Sequence, residues 1–205
     1  MRLTHKFLTT TFVCGAMLAT AGVIGVELWH RASVRAAQAD LPVLGRVPAF
    51  QLHDQDDRPV TLASFRGRVW VADFIFTRCP GSCPVMTGKM AALQRSLPPQ
   101  VKFASFSVDP EHDTPAVLKR YAQSYLADES RWKFLTGEQD AIMAQARGML
   151  LAALPATADR PIIHDGRFVL IDGQGRIRGA YHGDDPQDMA KLERDAARLS
   201  AQEAK

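Results

Sequence analysis

One stretch of this chain, residues 69–76, constrains the fold more than any other. It reads VWVADFIF and is nearly continuous in apolar and aromatic residues. A strand with one solvent-facing side alternates apolar and polar residues, whereas a strand covered on both faces does not. The stretch therefore predicts a buried central strand. With 205 residues, 46% of them hydrophobic, the chain can bury one core of the size that such a strand needs.

The residues after this strand indicate a βαβ unit. Pro84 disfavours helical geometry at the residue before it and suits the first helical position, so we predict a helix over about 84–97. A strand over 102–108 and a helix opening at Thr114-Pro115 and ending near residue 126 follow. The two strands of such a unit are parallel, with a right-handed crossover.

The flanking residues predict the rest of a thioredoxin-like α/β sandwich with a central mixed sheet. Two short strands surround a polar turn at 54–57, and a short strand at 134–135 precedes a helix over about 138–153. RFVLID and RIRGAY then flank Gly173-Gln174-Gly175, which indicates a β-hairpin. A helix over about 186–199 closes the domain.

The N-terminal residues predict a membrane anchor. Phe7 to Val26 form twenty residues without a charge, long enough to cross about 30 Å of hydrocarbon as a helix. Arg2 and Lys6 precede them and favour a cytoplasmic N-terminus. We therefore expect residues 1–39 to be an anchor and linker in a bacterial inner membrane, and residues 40–205 to be a periplasmic domain.

A cleaved signal peptide is the alternative, because Ala37-Gln38-Ala39 has the small-x-small form that a signal peptidase prefers. Both interpretations export the domain. We favour the anchor, because the apolar run is longer than a usual signal core and ends about a dozen residues before that motif. Cys14 lies inside the run and is interpreted as an apolar residue. Residues 40–47 are interpreted as a linker.

The distribution of charge argues against nucleic acid as a partner. The first 39 residues hold four basic residues and one acidic residue: Arg2, Lys6, Arg31, Arg35 and Glu27. Removing these from the totals of 25 basic and 22 acidic residues leaves 21 of each, so the globular part is formally neutral. No basic face for nucleic acid is implied.

The chemistry is concentrated in a loop with two thiols, Cys79 and Cys83, between the buried strand and the first helix. A thiol at a helix N-terminus meets unpaired N–H groups that favour thiolate, and Arg78 adds positive charge. Dithiol oxidoreductases with a thioredoxin-like fold usually have two residues between their cysteines, whereas this chain has three. The wider loop could place both sulfurs around one metal ion, and a Cys79–Cys83 disulfide also stays open.

A third ligand would separate a metal site from a plain disulfide, and His164 is the best candidate. It lies 81 residues after Cys83, just before the RFVLID strand. Two thiolates suit Cu(I) and an added imidazole suits Cu(II), while zinc with three protein ligands is also chemically allowed. Met86 and Met90 have the spacing of a helix core face and are interpreted as packing residues.

Other polar residues near these motifs are given structural roles. Asp109 and Asp113 are expected to cap the following helix and shape its loop. His53, His112 and His182 are interpreted as ordinary turn and loop residues.

Three segments together resemble the Sco/SenC family: DFIFTRCPGSCPVMTGKMAAL, FSVDPEHDTPAVLKRYA and HDGRFVLIDGQGRIRGAYHG. The resemblance covers nearly all of residues 43–199. It implies that Cys79, Cys83 and His164 bind one copper ion, as Cu(I) or Cu(II), and that Cys79 and Cys83 can form a disulfide. Many relatives have Asp in place of Gly81 and a small hydroxyl residue in place of Asp165, so outer-shell tuning and the partner surface can differ.

The family resemblance implies a metallochaperone that passes copper to the copper-site subunit of cytochrome c oxidase. Other copper chaperones, thiol reductants and the inner membrane are further partners implied by this role. The main alternative is a thiol-disulfide oxidoreductase that cycles Cys79 and Cys83 without holding metal and reduces cysteines of that site or of another exported protein. A copper or redox sensor is a third interpretation, and nothing in the sequence favours it.

Overall fold

The computed structural model describes residues 27, 29, 40–151, 153–154, 163–164 and 166–203. The chain divides into two compact units, Met1–Asp40 and Leu41–Lys205. Among the described residues, no helix has both the length and the apolar character needed to cross a membrane. The predicted anchor at 7–26 and the motif at 37–39 both lie outside the described residues.

The second unit alternates strands and helices in the predicted order. Its described strands are β1 (Gly45–Arg46), β2 (Gln51–His53), β3 (Pro59–Thr61), β4 (Trp70–Ile75), β5 (Lys102–Ser107), β6 (Trp132–Leu135), β7 (Ala153–Leu154), β8 (Ile163–His164), β9 (Arg167–Ile171) and β10 (Arg176–His182). Its described α-helices are α1 (Ser82–Ser96), α2 (Pro115–Ser124), α3 (Gln139–Gly148) and α4 (Pro186–Glu203). A short 3-10 helix, Leu62–Phe65, follows β3.

Six strands form a mixed sheet in the order β1-β10-β9-β4-β5-β6. The β4–β5 and β5–β6 pairs are parallel, whereas β4–β9, β9–β10 and β1–β10 are antiparallel. The β2–β3 and β7–β8 pairs are separate two-stranded ladders. These pairings confirm the thioredoxin-like α/β sandwich with a central mixed sheet.

Strand β4 is the buried central strand that the sequence predicts. All six of its residues are buried. Trp70, Ala72 and Phe74 face one core cluster, which α3 and the β2–β3 hairpin cover. Val71 and Ile75 face the other cluster, which α1, α2 and α4 cover. Because side chains alternate along a strand, Asp73 shares the second face and points toward the helix that carries Cys83.

The start of α1 and the end of α3 differ from the sequence prediction. Helix α1 begins at Ser82 rather than at Pro84, so Pro84 is its third residue, where a backbone N–H has no partner within the helix. Helix α3 ends at Gly148, and Leu150 then takes a positive φ of 63°, which stops the helix well before Ala153. Short breaks of this kind leave little trace in apolar periodicity.

Part of the predicted linker belongs to the domain. Strand β1 lies within residues 40–47 and pairs with β10 at the sheet edge. Buried Arg178 holds the residues that precede β1. Its Nε donates to the carbonyls of Leu41 at 3.2 Å and Pro42 at 3.3 Å. Its Nη1 donates to Oδ2 of buried Asp172 at 3.0 Å. The folded domain therefore begins at about Leu41.

Candidate metal centre

Both cysteines lie in the loop and first helical turn that follow β4. Cys79 is partly buried and packs against the core cluster to which fully buried Cys83 belongs. Cys83 is the second residue of α1, and Gly81 is the residue before that helix. No disulfide joins Cys79 and Cys83 in this structure. The loop thus presents one accessible sulfur and one buried sulfur.

Of the two thiols, Cys79 loses its proton more readily. Partial burial opposes its negative charge, but hydrogen bonds from the backbone and thiol of Cys83, from the Gly81 backbone and from Ser82 outweigh burial. The pKa of Cys79 is therefore lowered from its ordinary value. A lowered pKa provides more thiolate, which is both the nucleophilic form and the metal-binding form of cysteine.

The Cys83 thiol behaves in the opposite way. Burial raises the pKa of Cys83 far above its ordinary value, and a hydrogen bond with the Phe76 backbone offsets this only in part. The Cys79 thiol and the charge of Asp73 raise the pKa further. The prediction that the helix N-terminus favours a Cys83 thiolate is therefore wrong, because loss of solvent outweighs the helix dipole at this depth.

Asp73 is a buried acid on the same side of the sheet as Cys83. Neither of its carboxyl oxygens makes a well-formed hydrogen bond with the described residues. Burial raises the pKa of Asp73 to about 7, although Ser105 on the adjacent strand and the Asp73 backbone favour the ionised form. Sequence reasoning missed this residue as part of the site. A single acid within the apolar run VWVADFIF is the signal that could have found it.

A buried carboxylate, Asp113, holds the start of the cysteine loop. Its oxygens accept hydrogen bonds from the Thr77 N–H at 3.0 Å and the Thr77 hydroxyl at 2.5 Å. They also accept from the Ser107 hydroxyl at 2.5 Å and lie 2.9 Å from His112 Nδ1. The end of β5 is thereby joined to the residues just before Cys79.

Asp109 adds a second connection between the same two loops. Its Oδ2 accepts from Arg78 Nη2 at 2.7 Å and from Arg78 Nε at 3.2 Å. The expectation that Asp109 and Asp113 shape their loop is confirmed, but helix capping is not their role. The N-cap of α2 is Thr114, which makes no side-chain capping hydrogen bond. The guanidinium of Arg78 forms an ion pair with Asp109, so its positive charge is paired with this carboxylate.

The atoms of Asp109, His112 and Asp113 lie within 4.8 Å of one another, a distance compatible with a cation. Asp113 already accepts hydrogen bonds from Thr77 and Ser107, and Asp109 accepts them from Arg78. We therefore interpret the cluster as a support for the cysteine loop.

His164 lies on strand β8, where its backbone pairs with Ala153. Its side chain is outside the described part of the structure. Two residues later, Gly166 borders the same groove as Gly81 and Ser82 of the cysteine loop. The fold therefore brings the chain segment that follows His164 next to the loop that carries the two thiols.

Two histidines that the sequence predicts to be turn and loop residues lie at the ends of strands instead. His53 ends β2 and its Nδ1 lies 2.9 Å from Asp57 Oδ1. His182 is the last residue of β10 and borders the groove beside the cysteine loop. Met86 and Met90 are both buried in the cluster around α1, as the helical spacing predicts.

Comparison with known proteins identifies relatives over almost the whole second unit. The sequence model of the SCO1/SenC family matches residues 43–198. The SCO1 protein homolog of Bacillus subtilis is 36% identical over an alignment of 172 residues, and the match covers 80% of this chain and 86% of that protein. The range matched by the family model contains Cys79, Cys83 and all three segments on which the resemblance rests.

Solved structures agree with the sequence comparison. BsSco, described as a member of the Sco family of cytochrome c oxidase assembly proteins with a disulfide switch, has a TM-score of 0.71 and 35% identity, covering 80% of this chain and 98% of that one. ScoI of Bradyrhizobium japonicum, determined with copper bound, has a TM-score of 0.61 and 27% identity, covering 73% of this chain and 99% of that one. The chain therefore belongs to the SCO1/SenC family.

Proposed function

We propose that this domain binds one copper ion through Cys79, Cys83 and His164 and delivers it to the copper-site subunit of cytochrome c oxidase during assembly. The observation that carries the proposal is the pair of cysteines in one loop at the start of α1, not joined by a disulfide, with the pKa of Cys79 lowered. Copper bound to ScoI and the cytochrome c oxidase assembly role of the Sco family support it.

The donor set suits copper in either oxidation state. Thiolate sulfur is a soft ligand that stabilises Cu(I), and imidazole nitrogen is a good ligand for Cu(II). Copper can displace the proton of Cys83 on binding, so the raised pKa of that thiol makes binding pH-dependent without preventing it. Partly exposed Cys79 gives an acceptor protein a sulfur at which ligand exchange can begin.

A second candidate function, thiol-disulfide exchange, is favoured by the difference between the two thiols. Cys79 as thiolate would attack a disulfide of an exported protein, forming a mixed disulfide and releasing one thiolate of that protein. Cys83 would lose its proton, attack Cys79 sulfur and release the second thiolate. The substrate is then reduced and the Cys79–Cys83 pair is oxidised. A thiol reductant would restore the pair, just as another copper chaperone would reload the metal site.

Replacing His164 with Ala distinguishes the two functions, because they share the cysteines and differ in the need for a nitrogen ligand. The two sulfurs can still hold Cu(I), but Cu(II) should bind far more weakly and its thiolate-to-copper charge-transfer band should change. Dithiol exchange depends on thiolate fraction, leaving-group acidity and access, so the disulfide potential should change only modestly. Titration with Cu(II) followed by absorption spectroscopy measures the first effect.

His53→Ala is the matched control, because His53 ends β2 and its imidazole is engaged with Asp57. It should bind Cu(II) like the unmodified protein. The copper proposal also requires that His164→Ala fail to restore oxidase assembly in cells that lack the protein. Unchanged Cu(II) affinity and spectrum in His164→Ala would contradict the three-ligand site and favour the oxidoreductase.

We also propose that residues 7–26 anchor the protein in the inner membrane with the second unit in the periplasm. The length of the uncharged run and the preceding Arg2 and Lys6 support this arrangement. Full-length protein should stay in the membrane fraction after a salt or alkaline wash. Release by either wash argues against the anchor, and a mature N-terminus at Asp40 would show that a signal peptide is cleaved instead.

A further inference from the structure

The two methionines on the buried side of α1 differ in their surroundings. Met90 is completely buried in the core. Met86 is 4% exposed and borders an open groove of about 460 Å³. Gly81 and Ser82, which lie between the two cysteines, border the same groove. The sequence spacing assigns both methionines to packing, but the structure places only Met86 beside the cysteine loop.

The thioether of Met86 lies at the junction between the cysteine helix and the chain that follows His164. A Cβ atom added to Gly183 would be only 2.2 Å from Met86 Sδ and 2.8 Å from the Gly166 carbonyl oxygen. The Gly183 N–H donates to that carbonyl at 2.9 Å. Lys89, one turn further along α1, donates to the Gly183 carbonyl. Met86 Sδ therefore touches the backbone bridge formed two residues after His164.

Met86 is also a neighbour of the thiols. Residues three apart on a helix share a face, with Cβ atoms about 5–6 Å apart, and Cys83 and Met86 have this spacing on α1. Both belong to the core cluster against which Cys79 packs. A methionine side chain has three rotatable bonds and a polarisable sulfur, so its Sδ can be reoriented without moving the helix. Cys83 and Met86 therefore lie on the same face of α1, about one turn apart.

We propose that Met86 is a thioether ligand for Cu(I), used together with Cys79 and Cys83. This inference rests on the proposed copper function and adds a ligand to that site. Cu(I) is soft and prefers sulfur, whereas Cu(II) takes the imidazole of His164. The Cu(I) and Cu(II) forms of the site would therefore differ in one ligand, a thioether sulfur at the wall of the groove for Cu(I) and an imidazole nitrogen for Cu(II). An acceptor protein entering the groove meets Cu(I) on this side.

The ordinary alternative is that Met86 only fills space against Gly183. Met86→Leu separates the two roles, because leucine and methionine have similar volume and such swaps are well tolerated in protein cores. Leucine keeps the apolar contact and removes the sulfur. Met90→Leu is the matched control, since it makes the same change one helical turn later at a fully buried position.

The test is selenium-edge and copper-edge X-ray absorption of the full-length selenomethionine protein, reduced and loaded anaerobically with one equivalent of Cu(I). The chain contains 7 methionines, all of which carry selenium in this sample. The selenium signal of Met86 is therefore obtained as the difference between the labelled protein with the natural sequence, here called the unmodified protein, and labelled Met86→Leu. A copper–selenium shell is expected in the unmodified protein and in Met90→Leu and is expected to be absent in Met86→Leu. Cu(I) affinity should fall about tenfold in Met86→Leu, with Cu(II) affinity unchanged.

The outcomes separate this inference from the function on which it rests. A copper–selenium shell that persists in Met86→Leu overturns the assignment. Copper held by sulfur alone in the unmodified protein also overturns it, while leaving Cys79 and Cys83 as ligands. An unmodified protein that retains no Cu(I) would overturn both the Met86 ligand and the copper function.

Discussion

A variant that combines Cys79→Ser with Cys83→Ala is expected to lose Cu(I) affinity by about three orders of magnitude, about 4 kcal/mol. Both thiolates are removed, and a hydroxyl is a poor ligand for a soft ion. Alanine is chosen at the second position because a serine hydroxyl there would be buried, and Cys83 is fully buried. Competition with a chromogenic Cu(I) chelator measures the affinity.

The matched control for this variant is Cys14→Ser. The chain has three cysteines, and this change removes the one that lies outside the loop. Copper affinity should not change. Near-normal Cu(I) binding by the Cys79→Ser, Cys83→Ala protein would contradict the site. The same variant should also lose the thiolate-to-copper charge-transfer band with Cu(II), which checks the assignment independently of affinity.

The free energy of unfolding of the metal-free, reduced protein is expected to fall as pH rises from about 4 to 7, in part because of Asp73. Its pKa is about 7 in the folded protein and 3.8 without the fold. Between these values the folded state keeps a proton that the unfolded state releases, so stability falls with pH and levels off above about 7. The difference of about three pH units, at 1.36 kcal/mol each, gives about 4 kcal/mol.

Asp73→Asn should remove this decline, since an amide does not ionise. The measurement is denaturant unfolding of both proteins at several pH values, comparing slopes rather than absolute stabilities. Parallel curves for the two proteins would show that Asp73 is not the buried acid responsible.

Asp172 provides a control of opposite sign. Burial disfavours the Asp172 charge, but hydrogen bonds from Arg176 and Arg178 outweigh burial and lower the pKa of this carboxyl. Its stabilising contribution is present above the unfolded pKa and is lost as pH falls through the folded value. Asp172→Asn should therefore cost more stability near neutral pH than in acid.

The fold could be predicted from the sequence because its strongest signals are local. The apolar run of β4, the glycine-containing turn between β9 and β10 and the prolines at the starts of α2 and α4 each identify an element directly. Boundaries that depend on tertiary contacts could not be predicted. Strand β1 exists through its pairing with β10, and Leu41 is held by Arg178, more than 130 residues away in sequence.

The candidate site was predicted only in part. The thiols and His164 come from spacing and family resemblance, whereas their acidity depends on burial. Helix position favours thiolate at Cys83, yet full burial reverses the effect. The hydrogen bond between Asp113 and Thr77 joins residues 36 positions apart and has no local sequence pattern, so the sequence alone indicates a helix cap for a carboxylate at this position.

The hydrogen bonds of Asp113 have a consequence for the entropy of metal capture. Fixing the backbone of a free residue costs about 1–2 kcal/mol, and five residues, 79–83, form the ligand loop. Asp113 fixes Thr77 just before this loop, and the first turn of α1 fixes its other end. Most of this ordering therefore occurs when the domain folds. A metal ion therefore binds a loop that is already ordered, and the loop stays ordered when the ion leaves.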